Sequence, residues 1–155
     1  APNEALKKLE KLTEFDIQSI EQPIPAGNWE EMRKLCKVTP LAIALDEELI
    51  GMENKEQLLD QIQPQHIILK PTLVGGILET QEWIQYAEER DIGWWMTSAL
   101  ESNVGLNAIA QFTSTFDIVL PQGLGTGQLY HNNFDSPLRI ERGEIIYAQN
   151  LKWEI

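Results

Sequence analysis

The sequence has one cysteine, two histidines and half as many basic as acidic side chains, 12 Lys and Arg against 24 Asp and Glu. Each scarcity closes off a class of function. A single thiol, Cys36, cannot form an internal disulfide. It lies among apolar residues of a helical stretch, where a buried inert thiol is the first reading and a nucleophile the second. The net charge of −12, with no Lys/Arg cluster or stripe to offset it, repels phosphate backbones and anionic lipid. Neither nucleic acid nor a membrane is an expected partner. No apolar run approaches the roughly 18 residues of a membrane helix, and the opening segment APNEALKKLEKL has no signal-peptide core. These absences predict a soluble, cytoplasmic protein. An initiator methionine is missing too: the chain opens directly in a helical pattern, with Leu6, Leu9 and Leu12 at helical spacing. That opening predicts the later part of a longer polypeptide.

What is present suits one globular unit, since 155 residues at 43% hydrophobic content supply one ordinary core and are too mixed for a fibrous or disordered chain. Short apolar runs alternate with amphipathic segments. Ile17 to Ile20 reads as a strand, followed by a helix with Asn28 as N-cap, Glu31 three residues on, and Trp29, Met32, Leu35 and Cys36 on one face. Leu41 to Leu45 is the second strand, before a helix from about Asn54 with Leu58, Leu59 and Ile62 inward. Ile67 to Leu69 precedes a helix presenting Ile77, Ile84 and Ala87, and Trp94 to Met96 precedes one presenting Val104, Ala108, Ile109 and Phe112. Ile118 to Leu120 is a fifth strand, after which QGLGTG replaces a helix start. Such alternation indicates βαβ units and a parallel sheet buried on both faces, an α/β fold.

An open doubly wound sheet would want its glycine fingerprint at the first βα turn, where this chain has Pro23, Pro25 and only Gly27. Polar residues instead end the apolar runs at intervals of about 25 residues (Glu21, Asp46, Lys70, Ser98, Gln122), close to one βα unit of a (β/α)8 barrel. We therefore expect part of a TIM-type barrel, about strands 4 to 8 with their helices. A barrel brings its strand ends to one mouth. Taken alone, Glu21 and Asp46 each read as an exposed carboxylate opening a loop; with Lys70 on the next strand the balance reverses. Two hard oxygen donors suit Mg²⁺, and an adjacent ammonium suits the charge that builds on a carboxylate when its α-proton leaves. Glu47 and Glu48 read as loop or supporting carboxylates, one of which could substitute for Asp46.

The segments IEQPIP (20 to 25), LAIALDEELIG (41 to 51), IILKPTLVGG (67 to 76), TSALESNVGLNAIAQ (97 to 111) and PQGLGTGQLYHNNF (121 to 134) resemble successive strand ends of the enolase superfamily, and within it the o-succinylbenzoate synthase family. The resemblance covers nearly the whole chain. Its most specific elements are the lysine followed by proline and a double glycine, and the Ser-Ala-Leu-Glu-Ser segment. It implies that Glu21 is the second of three metal ligands and Asp46 the third, for Mg²⁺ or alternatively Mn²⁺. The first ligand, an aspartate on the preceding strand, has no counterpart here, nor has a second lysine that does acid and base work. Lys70 matches the sixth-strand lysine that stabilises an enediolate and so faces the substrate. Thr97 and Ser98 match pocket positions for the substrate's succinyl carboxylate, and Gly123 a position whose backbone N–H reaches it.

The implied activity is dehydration of a small-molecule carboxylate, a syn elimination of water in menaquinone synthesis. The alternatives are a muconate cycloisomerase, a dipeptide epimerase or N-acylamino acid racemase, and a silent barrel fragment. An epimerase would show Asp-x-Asp near the eighth strand, where this chain has Gln122-Gly123-Leu124. Residues 1–137 are expected to be barrel, and 138–155 a hairpin around Arg142-Gly143 that in the family returns to a capping domain. Unpaired barrel edges would favour a homo-oligomer.

GLGTG lacks dinucleotide-loop spacing and reads as a tight turn at the mouth. His66 and His131, with no third metal-type partner nearby, read as structural. Trp94 and Trp95 are expected on opposite faces of their strand, one inside the barrel and one against helices.

Overall fold

The computed structural model describes residues 2–126 and 129–154. Helix α1 (Pro2–Leu12) leads into strand β1 (Ser19–Glu21), then α2 (Trp29–Val38), β2 (Ala42–Leu45), α3 (Lys55–Ile62), β3 (His66–Leu69), α4 (Ile77–Glu88), β4 (Gly93–Met96) and α5 (Asn103–Thr113). The four strands form one parallel sheet in the order β1-β2-β3-β4. Spatial order equals chain order, as in a (β/α) barrel; a doubly wound sheet would reverse direction at a switch point.

Alternation divides each strand between two faces. Ile43, Leu45, Ile67, Leu69 and Met96 share a core with Met32, Leu35, Leu58, Leu59, Ile62, Trp83 and Ile84 of the helices. Ala44 and Ile68 are equally buried but lie outside that core, on the opposite face. Burial on both sides is why the strands read as unbroken apolar runs. The tryptophans divide as expected: Trp94 packs edge-on against Phe116, with centroids 5.4 Å apart, and Trp95 lies 5.6 Å from the His66 ring.

Several expectations are corrected. The first strand is Ser19–Glu21 rather than 17 to 20, because a 3-10 turn, Thr13–Phe15, and Asp16 in the left-handed region (φ 52°) occupy the approach. Asn28 precedes α2 but does not cap it; its amide donates to the Pro25 carbonyl at 2.9 Å. Asn54 does cap α3, accepting from the Gln57 N–H at 3.1 Å. Ile77, Val104 and Ala108 are exposed, and the inward residues of α4 and α5 include Thr80, Trp83, Leu106 and Thr113.

The fifth strand, expected at Ile118 to Leu120, does not form, and Val119 is 92% exposed. Pro121 has no N–H to give a ladder. Contact with β4 is a single parallel bridge, Thr97 to Gly123, two residues further on. Gly123 is required there: a Cβ would stand 2.5 Å from the Thr97 hydroxyl oxygen. Gly127 and Gln128 of the GLGTG region lie outside the described residues. The hairpin forms as read, β5 (Leu138–Glu141) pairing with β6 (Glu144–Tyr147) antiparallel through Arg142 and Gly143, both at positive φ.

Side-chain amides extend the sheet where backbone pairing stops. Gln22 Oε1 accepts the Asp46 N–H at 3.1 Å, Gln65 Oε1 the Ile43 N–H at 2.9 Å, and Gln122 Oε1 the Met96 N–H at 2.6 Å.

Candidate active site

Glu21 is the last residue of β1, and Asp46 and Lys70 directly follow β2 and β3, so parallel pairing carries all three to the same end of the sheet. Lys70 Nζ forms an ion pair with Asp46 Oδ2 and lies 3.9 Å from Glu21 Oε1. Asp46 is buried, Lys70 mostly so, and the Glu21 side chain is 55% exposed, leaving the carboxylate open to solvent. A hydrogen bond shared with Asp46, reinforced by burial and by the Asp46 charge, pushes the Glu21 carboxyl up to about 7, against the opposing pull of Lys70. Like charges held together shift in this direction.

The loop after Lys70 holds it in place. The Lys70 carbonyl accepts from the N–H groups of Leu73 (2.8 Å) and Val74 (3.0 Å), and Pro71 accepts from Gly76 at 2.7 Å. Gly75 (φ 107°) and Gly76 (φ 105°) supply the positive φ that closes this turn, which is the physical content of the double glycine.

Among the described residues no group of three His, Cys, Asp or Glu side chains converges as a metal cage. Glu21 and Asp46 nevertheless form a hard, anionic oxygen pair that suits a divalent cation such as Mg²⁺, and their mutual repulsion is what such a cation relieves. In donor chemistry the pair fits.

Thr97 and Ser98 follow β4 beside Lys70, the Thr97 N–H donating to the Leu69 carbonyl at 2.9 Å. Their polar groups are engaged: Thr97 Oγ1 donates to the Gly123 carbonyl at 2.9 Å, and the buried Ser98 hydroxyl pairs with that of Thr126. The Gly123 N–H, expected to face a carboxylate, donates to the Met96 carbonyl at 2.8 Å. It is spent on closing the sheet. His66 opens β3, at the other end of the strand from Lys70, and burial beside Trp95 pushes its imidazole below its ordinary value. Burial likewise pushes the Cys36 thiol up to about 12, an inert residue.

Two further carboxylates find their partners only in the folded chain. Glu48, read as a loop or supporting carboxylate with substitution for Asp46 as the alternative, is buried and accepts from Gln22 Nε2 (3.0 Å) and from the Gly27 N–H (2.7 Å), a supporting role that turns it away from substituting for Asp46. Glu101 accepts from Thr72 Oγ1 at 2.7 Å, tying the loop after β4 to the loop after Lys70. The Glu-Gln-Pro and Asp-Glu-Glu strings were visible, but nothing in them says which oxygen meets which N–H. A cavity of about 610 Å³ opens beside Glu21, with Gln22 and Glu47 in its wall.

A parallel α/β sheet in which Glu, Asp and Lys come to the same end of successive strands is the arrangement of a TIM-barrel-type domain, and the profile of the enolase C-terminal domain-like family matches residues 1–150. The chain belongs to that family, within the enolase superfamily. It is 54% identical over 145 residues to the o-succinylbenzoate synthase of Desulfotalea psychrophila, covering 92% of this chain and 39% of that one. The crystal structure of MenC from the same organism superposes with a TM-score of 0.90 at 54% identity, over 94% of this chain and 41% of that one. The muconate lactonizing enzyme of Pseudomonas putida shares the fold, with a TM-score of 0.86 at 24% identity over 94% of this chain and 41% of its own. The chain thus spans about two fifths of the length of these relatives. No helix of the described residues is long and apolar enough to cross a membrane.

Proposed function

We propose that the protein carrying this chain is an o-succinylbenzoate synthase of menaquinone synthesis, a metal-dependent carbon–oxygen lyase that dehydrates a cyclohexadiene carboxylate. The observation that carries this reading is Lys70, an ammonium paired with Asp46 and beside Glu21 at the strand ends, in a chain 54% identical to a synthase of that name. In the reaction the α-proton leaves the carbon next to the substrate carboxylate. The electron pair released forms the new double bond as the β-hydroxyl departs, and that hydroxyl takes up a proton to become water.

Lys70 holds a fixed positive charge against the negative charge that develops on the carboxylate. Glu21 and Asp46 would hold Mg²⁺, or Mn²⁺ in its place, and the bound cation supplies the further charge on the substrate oxygens. Thr97 and Ser98 line the substrate side next to Lys70, their hydroxyls held by Gly123 and Thr126. The proton-transferring lysine would lie, by family resemblance, on another strand opposite Lys70.

Turnover of the intact protein, followed by product absorbance, tests the reading. Lys70→Ala is expected to lower kcat on the order of 10²- to 10³-fold, the effect of deleting one donor to a developing anion. Glu21→Gln and Asp46→Asn are expected to weaken Mg²⁺ binding and abolish turnover. Metal affinity unchanged in both carboxylate variants, or a Lys70→Ala rate close to wild type, would overturn it.

A further inference from the structure

Gln22 stands at an unusual junction. Its φ of 34° lies in the left-handed region, which a non-glycine residue occupies only when its surroundings hold it there. Its backbone N–H donates to the Ala44 carbonyl at 2.9 Å, continuing the ladder of β1 onto β2 by one residue. There the backbone ladder ends and the side chain takes over. Oε1 accepts the Asp46 N–H at 3.1 Å, while Nε2 donates to the Ile24 carbonyl at 3.1 Å and to Glu48 Oε2 at 3.0 Å. Glu48, 4% exposed, receives the Gly27 N–H on its other oxygen at 2.7 Å. A buried carboxylate without donors is costly, so the pair is mutually fixing: Glu48 orients the Gln22 amide, and the amide oxygen is thereby aimed at Asp46.

We propose that Gln22 and Glu48 form a positioning clamp that sets the spacing between the Glu21 and Asp46 carboxylates for a divalent cation. The proposal rests on the functional reading above. Gln22 is covalently next to Glu21 and hydrogen-bonded to the backbone of Asp46, so one amide holds both carboxylate-bearing residues. Through Glu48 the same amide is anchored to the 22–27 loop that walls the cavity beside Glu21. Groups that hold metal ligands in place commonly govern affinity by roughly 10- to 100-fold without touching the metal.

The test is Gln22→Met, which keeps the volume and removes all three side-chain hydrogen bonds. In the intact protein, calorimetric titration with MgCl₂ is expected to show affinity weakened about tenfold or more. In metal-free protein, amide exchange is expected to accelerate at Asp46 but not at Leu45, a local change that general loss of stability would not produce. Glu48→Gln, which sets an NH₂ group against a donor, is expected to act in the same direction. In the double variant the two effects are expected to be less than additive, because the Glu48 carboxylate acts on the Asp46 N–H through the Gln22 amide. Should Gln22→Met not fold, Glu48→Gln carries the same measurements. If the wild type binds Mg²⁺ and the variants bind it equally well, the clamp is overturned and the functional reading stands. If the wild type binds no Mg²⁺, the functional reading fails and the clamp fails with it.

Discussion

His66 shows how a residue can be central in the sheet and absent from the chemistry. Its ring lies on the face opposite the helix-side core, 5.6 Å from Trp95, over a glycine whose added Cβ would meet Nδ1 at 2.3 Å. Nδ1 is buried with no hydrogen-bond partner among the described residues. Desolvation disfavours the imidazolium, so the folded state binds the proton more weakly than the unfolded chain, whose imidazole titrates near 6.5. Above that pH both states are neutral and the residue contributes no pH dependence. As pH falls below it, the unfolded state protonates first and stability is lost, until the lowered folded-state value is passed and both states are charged. Chemical denaturation at about pH 7.5 and about pH 5 is expected to show a larger drop in midpoint for wild type than for His66→Gln. Equal drops would mean that His66 remains solvated in the folded protein.

At the scale of single elements, helix α5 separates periodicity from orientation. Of Val104, Ala108, Ile109 and Phe112, expected on one inward face, Ile109 is 3% exposed and Phe112 packs against the core, yet Val104 is 45% exposed and Leu106, 2% exposed, turns inward instead. The helix is apolar on more than one side, so hydrophobic spacing alone leaves its rotation open. Leu106→Ala is expected to destabilise the fold by about 2–5 kcal/mol through lost burial and a residual cavity, and Val104→Ala by no more than about 0.5 kcal/mol. Thermal unfolding of the two variants side by side measures the difference. The reverse ranking would place the helix in the other orientation.

For the whole molecule, the sheet's edges are decisive. Strand β1 pairs only with β2 among the described residues, and beyond β4 the sheet continues through one bridge at Gly123. An open edge of parallel strand presents unpaired N–H and C=O groups, a template for another chain. Phe15, Leu78 and Val119, at 70%, 76% and 92% exposure, add apolar surface. The 155-residue chain expressed by itself is expected to self-associate with rising concentration, read by light scattering across the micromolar to millimolar range. A monomer throughout that range would show that the edges are protected.

The sequence by itself determined the α/β alternation, the parallel sheet and the strand-end positions of Glu21, Asp46 and Lys70. These depend on local periodicity and on polar residues that end apolar runs, both written in neighbouring residues. The start of α3 near Asn54, the hairpin at Arg142-Gly143 and the double glycine after Lys70 were legible for the same reason, since each is a short-range backbone requirement. Tertiary structure decided the rest. Ile118 to Leu120 has strand composition, but Pro121 and the close approach of Gly123 to Thr97 shift the contact with β4 onward to Gly123. Gln22, Gln65 and Gln122 look alike in the sequence, and only the folded sheet shows which unpaired N–H each amide accepts. The Gly123 N–H goes to Met96 for the same reason. A hydrogen bond between residues more than twenty positions apart has no local signature; its partner is chosen by packing, after the chain has brought the two strand ends together.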